Sequence, residues 1–95
     1  MIVGTLRVRL LLRGCHSLKE KRSVVRSLKD RLRDKFNVAV AEVDHQDVWQ
    51  TAELGIVTVG TDTPFVHSVL SHVTEFVRFF GGVELIDQEM ETYGE

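Results

Sequence analysis

With 95 residues and a mass of 10.8 kDa the chain has room for one domain and one core, residues 1–95, since domains usually run to roughly 100–150 residues. A content of 43% hydrophobic and 27% charged residues, with one proline and no repetitive stretch, argues against disordered and fibrous classes. No apolar run approaches the ~20 residues of a membrane-spanning helix, and the apolar opening is interrupted by Arg7 and Arg9 with no cleavage-like segment after it, so no signal peptide and no membrane partner are expected.

The net charge of -2 conceals a segregation along the chain. Residues 1–35 hold eleven of the twelve Lys+Arg and three acids, giving +8, whereas residues 36–95 hold Arg78 and eleven acids, giving -10. Such an asymmetry permits a basic docking surface that the overall pI of 6.1 hides, and it equally permits the two halves to pair within or between subunits. Cys15 stands alone, which excludes an internal disulfide and a CxxC pair and fits a reducing cytoplasm, the expected location.

Residues 2–12 alternate, with Leu6, Val8, Leu10 and Leu12 on one side and Thr5, Arg7, Arg9 and Leu11 on the other, the pattern of a strand covered on one face. Arg13-Gly14-Cys15-His16 breaks it. Ser17-Leu18-Lys19-Glu20 then forms a capping box, and Leu18, Val25, Leu28 and Leu32, with Val24 at the margin, recur at helical spacing to about Lys35. Residues 36–44 and 51–60 are rich in Val, Ala, Leu and Ile and predict two strands, joined by a hairpin loop over 45–50. Which of Val38/Val40 or Ala39/Ala41/Val43 points inward is left open by the pattern. Thr63-Pro64 supplies an N-cap followed by proline, and Val66, Val69, Leu70, Val73, Phe76, Val77 and Phe80 keep helical spacing until Gly81-Gly82. A last, acidic strand runs from 83 to about 92. The order βαββαβ with right-handed crossovers predicts a ferredoxin-like α+β sandwich, a four-stranded antiparallel sheet in the order 4-1-3-2 with both helices on one face. Because that fold hosts many unrelated activities, function has to be sought in sites.

Lys19, Arg22, Arg26, Lys29 and Arg33 are spaced 3, 4, 3 and 4 along the first helix and form one stripe beside its apolar face. Cations at this spacing can neutralise several phosphates at once, which gives strong, sequence-independent and salt-sensitive binding to nucleic acid. The competing account is a solvated face laced with ion pairs such as Arg26 to Asp30 or Asp30 to Arg33. The turn before the helix is a candidate anion site made by Arg13, His16 and Ser17, with Lys19, Lys21 and Arg22 around it, because a helix start presents free N–H groups. Acylphosphatases bind phosphate in the corresponding loop, but their glycine-rich arginine loop and water-positioning asparagine are not found, and the only asparagine, Asn37, begins the second strand. Cys15 beside His16 is better explained as a small residue in a tight turn than as a nucleophile with its base.

The segment Glu42 to Gln50 crowds three carboxylates and His45 at the hairpin, yet no second histidine follows at ligand spacing, so neither metal nor another cofactor is expected. Trp49, with His45 and Asp47, is a candidate contact surface, since a lone loop tryptophan either covers the core edge or anchors an interface. On the open sheet face Arg7 and Arg9 are expected to pair with Glu84, Asp87, Glu89 and Glu91 of the last strand, with subunit pairing through that face as the alternative. Neither the first nor the third strand carries the aromatic platform of an RNA-recognition motif.

The segments Gly14-Cys15-His16-Ser17-Leu18-Lys19-Glu20-Lys21-Arg22 to Leu28-Lys29-Asp30-Arg31-Leu32, and Phe36-Asn37-Val38 to Ala41-Glu42-Val43-Asp44-His45-Gln46-Asp47-Val48-Trp49-Gln50, resemble the hallmark blocks of the YlxP-like bacterial family, domain of unknown function 503. The resemblance spans essentially the whole chain. It implies a ferredoxin-like fold and genes lying among those for transcription elongation, translation initiation and ribosome-binding factor A, and it brings no catalytic residues. The expectation is therefore a small non-enzymatic protein that contacts structured RNA or a ribosomal subunit through the basic helix, with no small-molecule substrate. The alternatives are a homodimeric interaction module and, third, a phosphate-binding enzyme at the Arg13 to Ser17 turn.

Overall fold

In the computed structural model, which describes residues 1–44 and 48–94, the alternation of the first segment becomes β1 (Ile2–Leu11). Leu6, Val8 and Leu10 are buried beneath the helices, and Arg7 and Arg9 stand on the opposite, open face. The elements that follow are α1 (Leu18–Lys35), β2 (Ala39–Asp44), β3 (Thr51–Gly60), α2 (Thr63–Arg78) and β4 (Glu84–Gly94). All pairings are antiparallel and the order is β2-β3-β1-β4, the arrangement expected from the connections. The fold is ferredoxin-like. α2 lies over β1, β3 and β4, while α1 lies toward the β2 edge.

Several boundaries differ from the sequence expectation for local reasons. The N-cap of α2 is Asp62 rather than Thr63: its carboxylate accepts from the Phe65 N–H at 2.8 Å, leaving Pro64 in the first turn, where its missing donor costs nothing. α2 stops at Arg78, with Phe79 as C-cap, so Phe80 lies beyond the helix, and the chain reverses at Gly82, which has φ +93°. β2 begins at Ala39 because Phe36 caps α1, donating its N–H to the Leu32 carbonyl at 2.9 Å. β4 runs on to Gly94 against Ile2.

The open register of β2 is decided by its neighbour. Val40 pairs with Ile56 and is buried, which turns Ala39, Ala41 and, by the same alternation, Val43 outward, and a bulge between Glu42 and Asp44 brings Asp44 opposite Glu53 on the open face too. Glu42 is left on the helix side, toward the start of α1. One core cluster forms between sheet and helices, with Leu28, Leu32, Val66, Leu70, Val73 and Val77 fully buried from the helix side.

At Gly4 the α2 helix rests directly on the sheet. A Cβ there would meet Val66 Cγ1 at 2.3 Å and Leu70 Cδ1 at 2.8 Å, and both side chains are fully buried with nowhere to move. Gly4→Ala should therefore destabilise the fold by about 1–3 kcal/mol, as overpacking does. Urea unfolding followed by circular dichroism measures this, and a stability equal to the unmodified protein's would show that the contact is softer than its distances.

Candidate nucleic-acid interface

The rotation of α1 about its axis is set by its inward side chains, which are Lys21, Val25, Leu28 and Leu32. Lys21 is the unexpected member. Only 1% of it is exposed, and its Nζ donates to the Val48 carbonyl at 2.6 Å and lies 2.8 Å from Glu42 Oε2. It was expected around the Arg13 to Ser17 turn with the other cations. Its spacing of 4, 3 and 4 to Val25, Leu28 and Leu32 is the signal that places it inside instead, and the stem of a lysine is apolar enough to follow that path. An ammonium so deep is tolerable only because a carboxylate and a carbonyl receive it.

With that face turned in, Lys19, Arg22 and Arg26 are exposed and Lys29 is half-buried. Among the described residues none of these four forms an ion pair. Arg33 differs: its guanidinium donates to the Val40 carbonyl at 2.7 Å and lies 3.7 Å from Asp30, so it ties α1 to β2. The stripe of five is thus three outward cations, one partly covered and one anchored, and of the two ion pairs considered for Asp30 the one present is with Arg33. A shallow depression of about 550 Å³ runs along this face, lined by Lys19, Arg22, Ser23, Arg26 and Ser27 and closed by Asp30 and Arg31. Two hydroxyls therefore sit among the cations.

At the helix start Ser17 is the N-cap and its hydroxyl accepts from the Glu20 N–H at 3.2 Å. Glu20 returns the contact one residue further out, accepting from the His16 N–H at 2.6 Å. Arg13 lies 3.2 Å from Glu84 of β4. The structure thus brings Arg13, His16 and Ser17 to one turn, where two of them are engaged by carboxylates of the same chain. Trp49 is half-buried with its ring centroid 6.3 Å from that of His16, and the two border a cavity of about 440 Å³ together with Cys15. His45 and Asp47, grouped with Trp49 in the sequence, lie outside the described residues. Cys15 is buried, and that burial, with the Glu20 carboxylate adding to it, pushes its thiol above the ordinary value.

On the open face the guanidiniums of Arg7 and Arg9 find a partner the sequence did not suggest. Both reach Glu53 of β3, at 3.5 and 3.4 Å, rather than the acids of β4, and Glu53 is only 3% exposed. Register puts an acid on either side of Arg9, Glu53 on the inner strand β3 and Asp87 on the edge strand β4, and both guanidiniums pair with the nearly buried Glu53. A second feature not anticipated is a cleft of about 710 Å³ at the far end of the helices, lined by Phe36, Phe76, Phe79 and Phe80 with Arg31 and Lys35 beside the rings. No helix among the described residues is long and apolar enough to cross a membrane.

The molecule so described is a ferredoxin-like α+β sandwich that presents a row of outward cations on its first helix. The profile of the family described as "Protein of unknown function (DUF503)" matches residues 3–90, and the chain belongs to that family. It is 31% identical over 83 residues to the "Uncharacterized protein YlxP" of Bacillus subtilis (strain 168), covering 87% of this chain and 90% of that protein. Among solved structures it resembles the "De novo designed protein Foldit4", at 12% identity and a TM-score of 0.52 over 99% of this chain and 97% of the other, a likeness of fold alone. The "De novo designed protein Ferredog-Diesel" aligns at 12% identity with a TM-score of 0.46 over 97% of this chain and 84% of the other.

Two measurements check the local chemistry. Lys21→Met should cost on the order of 3 kcal/mol, because Glu42 then loses its counter-charge, and Lys21→Met combined with Glu42→Leu should recover most of the loss in urea titrations. Additive losses would refute the pairing. Cys15 should react with a disulfide reagent at pH 8 at least about tenfold more slowly in the folded protein than in urea. Since folding raises this thiol's pKa, its contribution to stability is complete below the unfolded value of about 8.5 and declines as pH rises beyond it, a decline that Cys15→Ala should remove.

Proposed function

We propose that the chain is a small binding protein, without catalytic activity of its own, that docks on structured RNA or a ribosomal particle through the outer face of α1. The observation that carries this reading is that Lys19, Arg22 and Arg26 stand exposed in one row with no ion pair among the described residues, while the other cations of the basic half are largely engaged. Lys21 is buried against Glu42, Arg33 is tied to β2, and Arg7 and Arg9 share Glu53. Residues three and four apart on a helix are neighbours, so the row runs for two turns at a spacing that spans successive phosphates. Ser23 and Ser27 between them add neutral donors of the kind that fix a phosphate backbone without reading sequence.

Binding of this kind is electrostatic, tolerant of sequence and steeply dependent on salt. Purified small ribosomal subunits, or a structured RNA of similar helical content, should bind the unmodified protein saturably. Arg22→Glu combined with Arg26→Glu and Lys29→Glu should weaken binding by at least about a hundredfold and flatten the log-log salt dependence by roughly one unit for each phosphate contact removed. The thermal melt of that variant should stay close to the unmodified protein's, because Arg22 and Arg26 are exposed and none of the three side chains, the partly covered Lys29 included, belongs to the buried face of α1. Equal affinity of the two proteins at every salt concentration would overturn the reading.

A further inference from the structure

We propose that the open face of the sheet is a homodimer interface, on which a second copy of the chain stacks its own open face about a two-fold axis. This inference stands apart from the RNA reading and rests on different residues. A sheet with one face in water normally alternates apolar inward and polar outward positions. β1 keeps that rule along its middle, with Leu6 and Val8 inward and Arg7 and Arg9 outward. At one end of the sheet it fails: Val3, Val57 and Val59 are adjacent through the β1–β3 register, Ala39 is opposite Val57, and Tyr93 is opposite Val3. All five point away from the helices. Val57, Val59 and Tyr93 are 40%, 49% and 52% exposed, values that leave β-branched and aromatic side chains in water on the least accommodating part of the surface. β2 extends the patch by laying Val43 over Gly55, where an added Cβ would come within 2.9 Å of its methyl group.

The shape and charge of this face select the occupant. Its apolar end is lined by the short side chains of Val3, Ala39, Val57 and Val59 beside a shallow depression of about 330 Å³ over Gly55, a surface that another sheet covers at the ~10 Å spacing of stacked sheets. Three strands of ten or eleven residues and β2 of six give a face of at most roughly 19 by 34 Å, somewhat below the ~800 Å² that each partner buries in a standard specific interface and in the range of a weak, exchanging one. Beside the apolar end, the face carries both signs of charge in one band. Arg7 and Arg9, with side chains 58% and 48% exposed, share the single carboxylate of Glu53, while Asp87 and Glu89 stand opposite them on β4. A partner of one sign would meet a like charge somewhere on that band, whereas a second copy supplies both.

A two-fold axis parallel to the strands reverses the strand order between copies, so that β1 of one lies across β3 of the other. It sets apolar end on apolar end and brings Arg7 and Arg9 of one copy over Glu53 of the second, leaving most of the β4 acids at the rim, where charge is tolerated. Both α1 faces then point outward.

Sedimentation velocity and light scattering over about 1 to 300 μM should show a dimer in concentration-dependent exchange with monomer. Val57→Lys combined with Val59→Lys should raise the dimer dissociation constant at least tenfold, with an unchanged circular-dichroism spectrum. Tyr93→Glu, at the sheet edge where the fold tolerates charge, should do the same and serves if the double variant fails to fold. Phe79→Asp, in the aromatic cleft, and the triple glutamate variant of α1 should leave the mass unchanged. A protein that stays monomeric throughout, a dimer indifferent to both open-face changes, or a dimer dissolved by Phe79→Asp would overturn the proposal.

Discussion

The Lys21 ammonium lies beneath the first turn of α1, and it can stay there only while the Glu42 carboxylate and the Val48 carbonyl receive its protons. This constraint reaches well beyond the contact itself. It binds the first turn of α1 to β2 and to the segment leading into β3, and it holds the roll of α1 that burial of its inward side chains sets. With Lys21 inward, Val25, Leu28 and Leu32 meet the sheet, and Lys19, Arg22 and Arg26 are turned out. Glu42 reaches the helix side by alternation with Val40, and the bulge that follows it puts Asp44 on the open face beside Val43. A purely apolar residue at position 21 would roll the helix the same way without holding the hairpin, so the ion pair adds position to what burial already supplies.

Charge on this chain is sorted twice, first along the sequence and then by depth. Besides Arg13 and Arg33, tied to β4 and β2, and Arg31 and Lys35 beside the aromatic rings, the basic half contributes cations to three further settings. One is buried against Glu42, two lie on the open sheet face against Glu53, and a row along α1 faces solvent. The two buried or nearly buried carboxylates belong to β2 and β3, so the pairing between the basic and acidic halves is internal at those points. What internal pairing leaves over is the α1 row on one side and the β4 acids on the other. The two faces of the sandwich therefore differ: the helix side carries the row of exposed α1 cations, with Asp30 and Asp34 beyond it, on which the proposed contact with a polyanion rests, and the sheet side offers apolar surface flanked by charge of both signs, on which the proposed pairing with its own copy rests.

Much of this was legible from short-range pattern. The alternation in residues 2–12, the Ser17 to Glu20 cap, the helical spacing of Val25, Leu28 and Leu32, and the acidic last strand lead to the element order and, through the handedness of crossovers, to the sheet order that is observed. Those features depend on neighbours within a few residues or on chirality, both of which the sequence contains. The identity of the residues in the α1 stripe was legible for the same reason. The fate of Arg33 was not, because its carbonyl partner on β2 belongs to another element.

The sequence by itself determined the fold class, the two helices with the N-cap of the first, and the segregation of cations into the N-terminal half. Tertiary structure alone decided which of those cations remain available. Lys21 sits at a helical spacing that a pattern count treats as one more charge, yet the hairpin's carboxylate and carbonyl draw it inside. Arg7 and Arg9 pair with Glu53 although strand register, set by burial of Leu6, Val8, Leu54 and Ile56 on the far face, places an acid opposite Arg9 on both neighbours, Glu53 on the inner β3 and Asp87 on the edge β4. The register of β2, the cap at Asp62 and the exposed valines of the open face follow likewise from partners distant in sequence. Long-range pairing is where burial and charge compensation are settled, and one chain read alone contains the candidates for such pairs but not their distances.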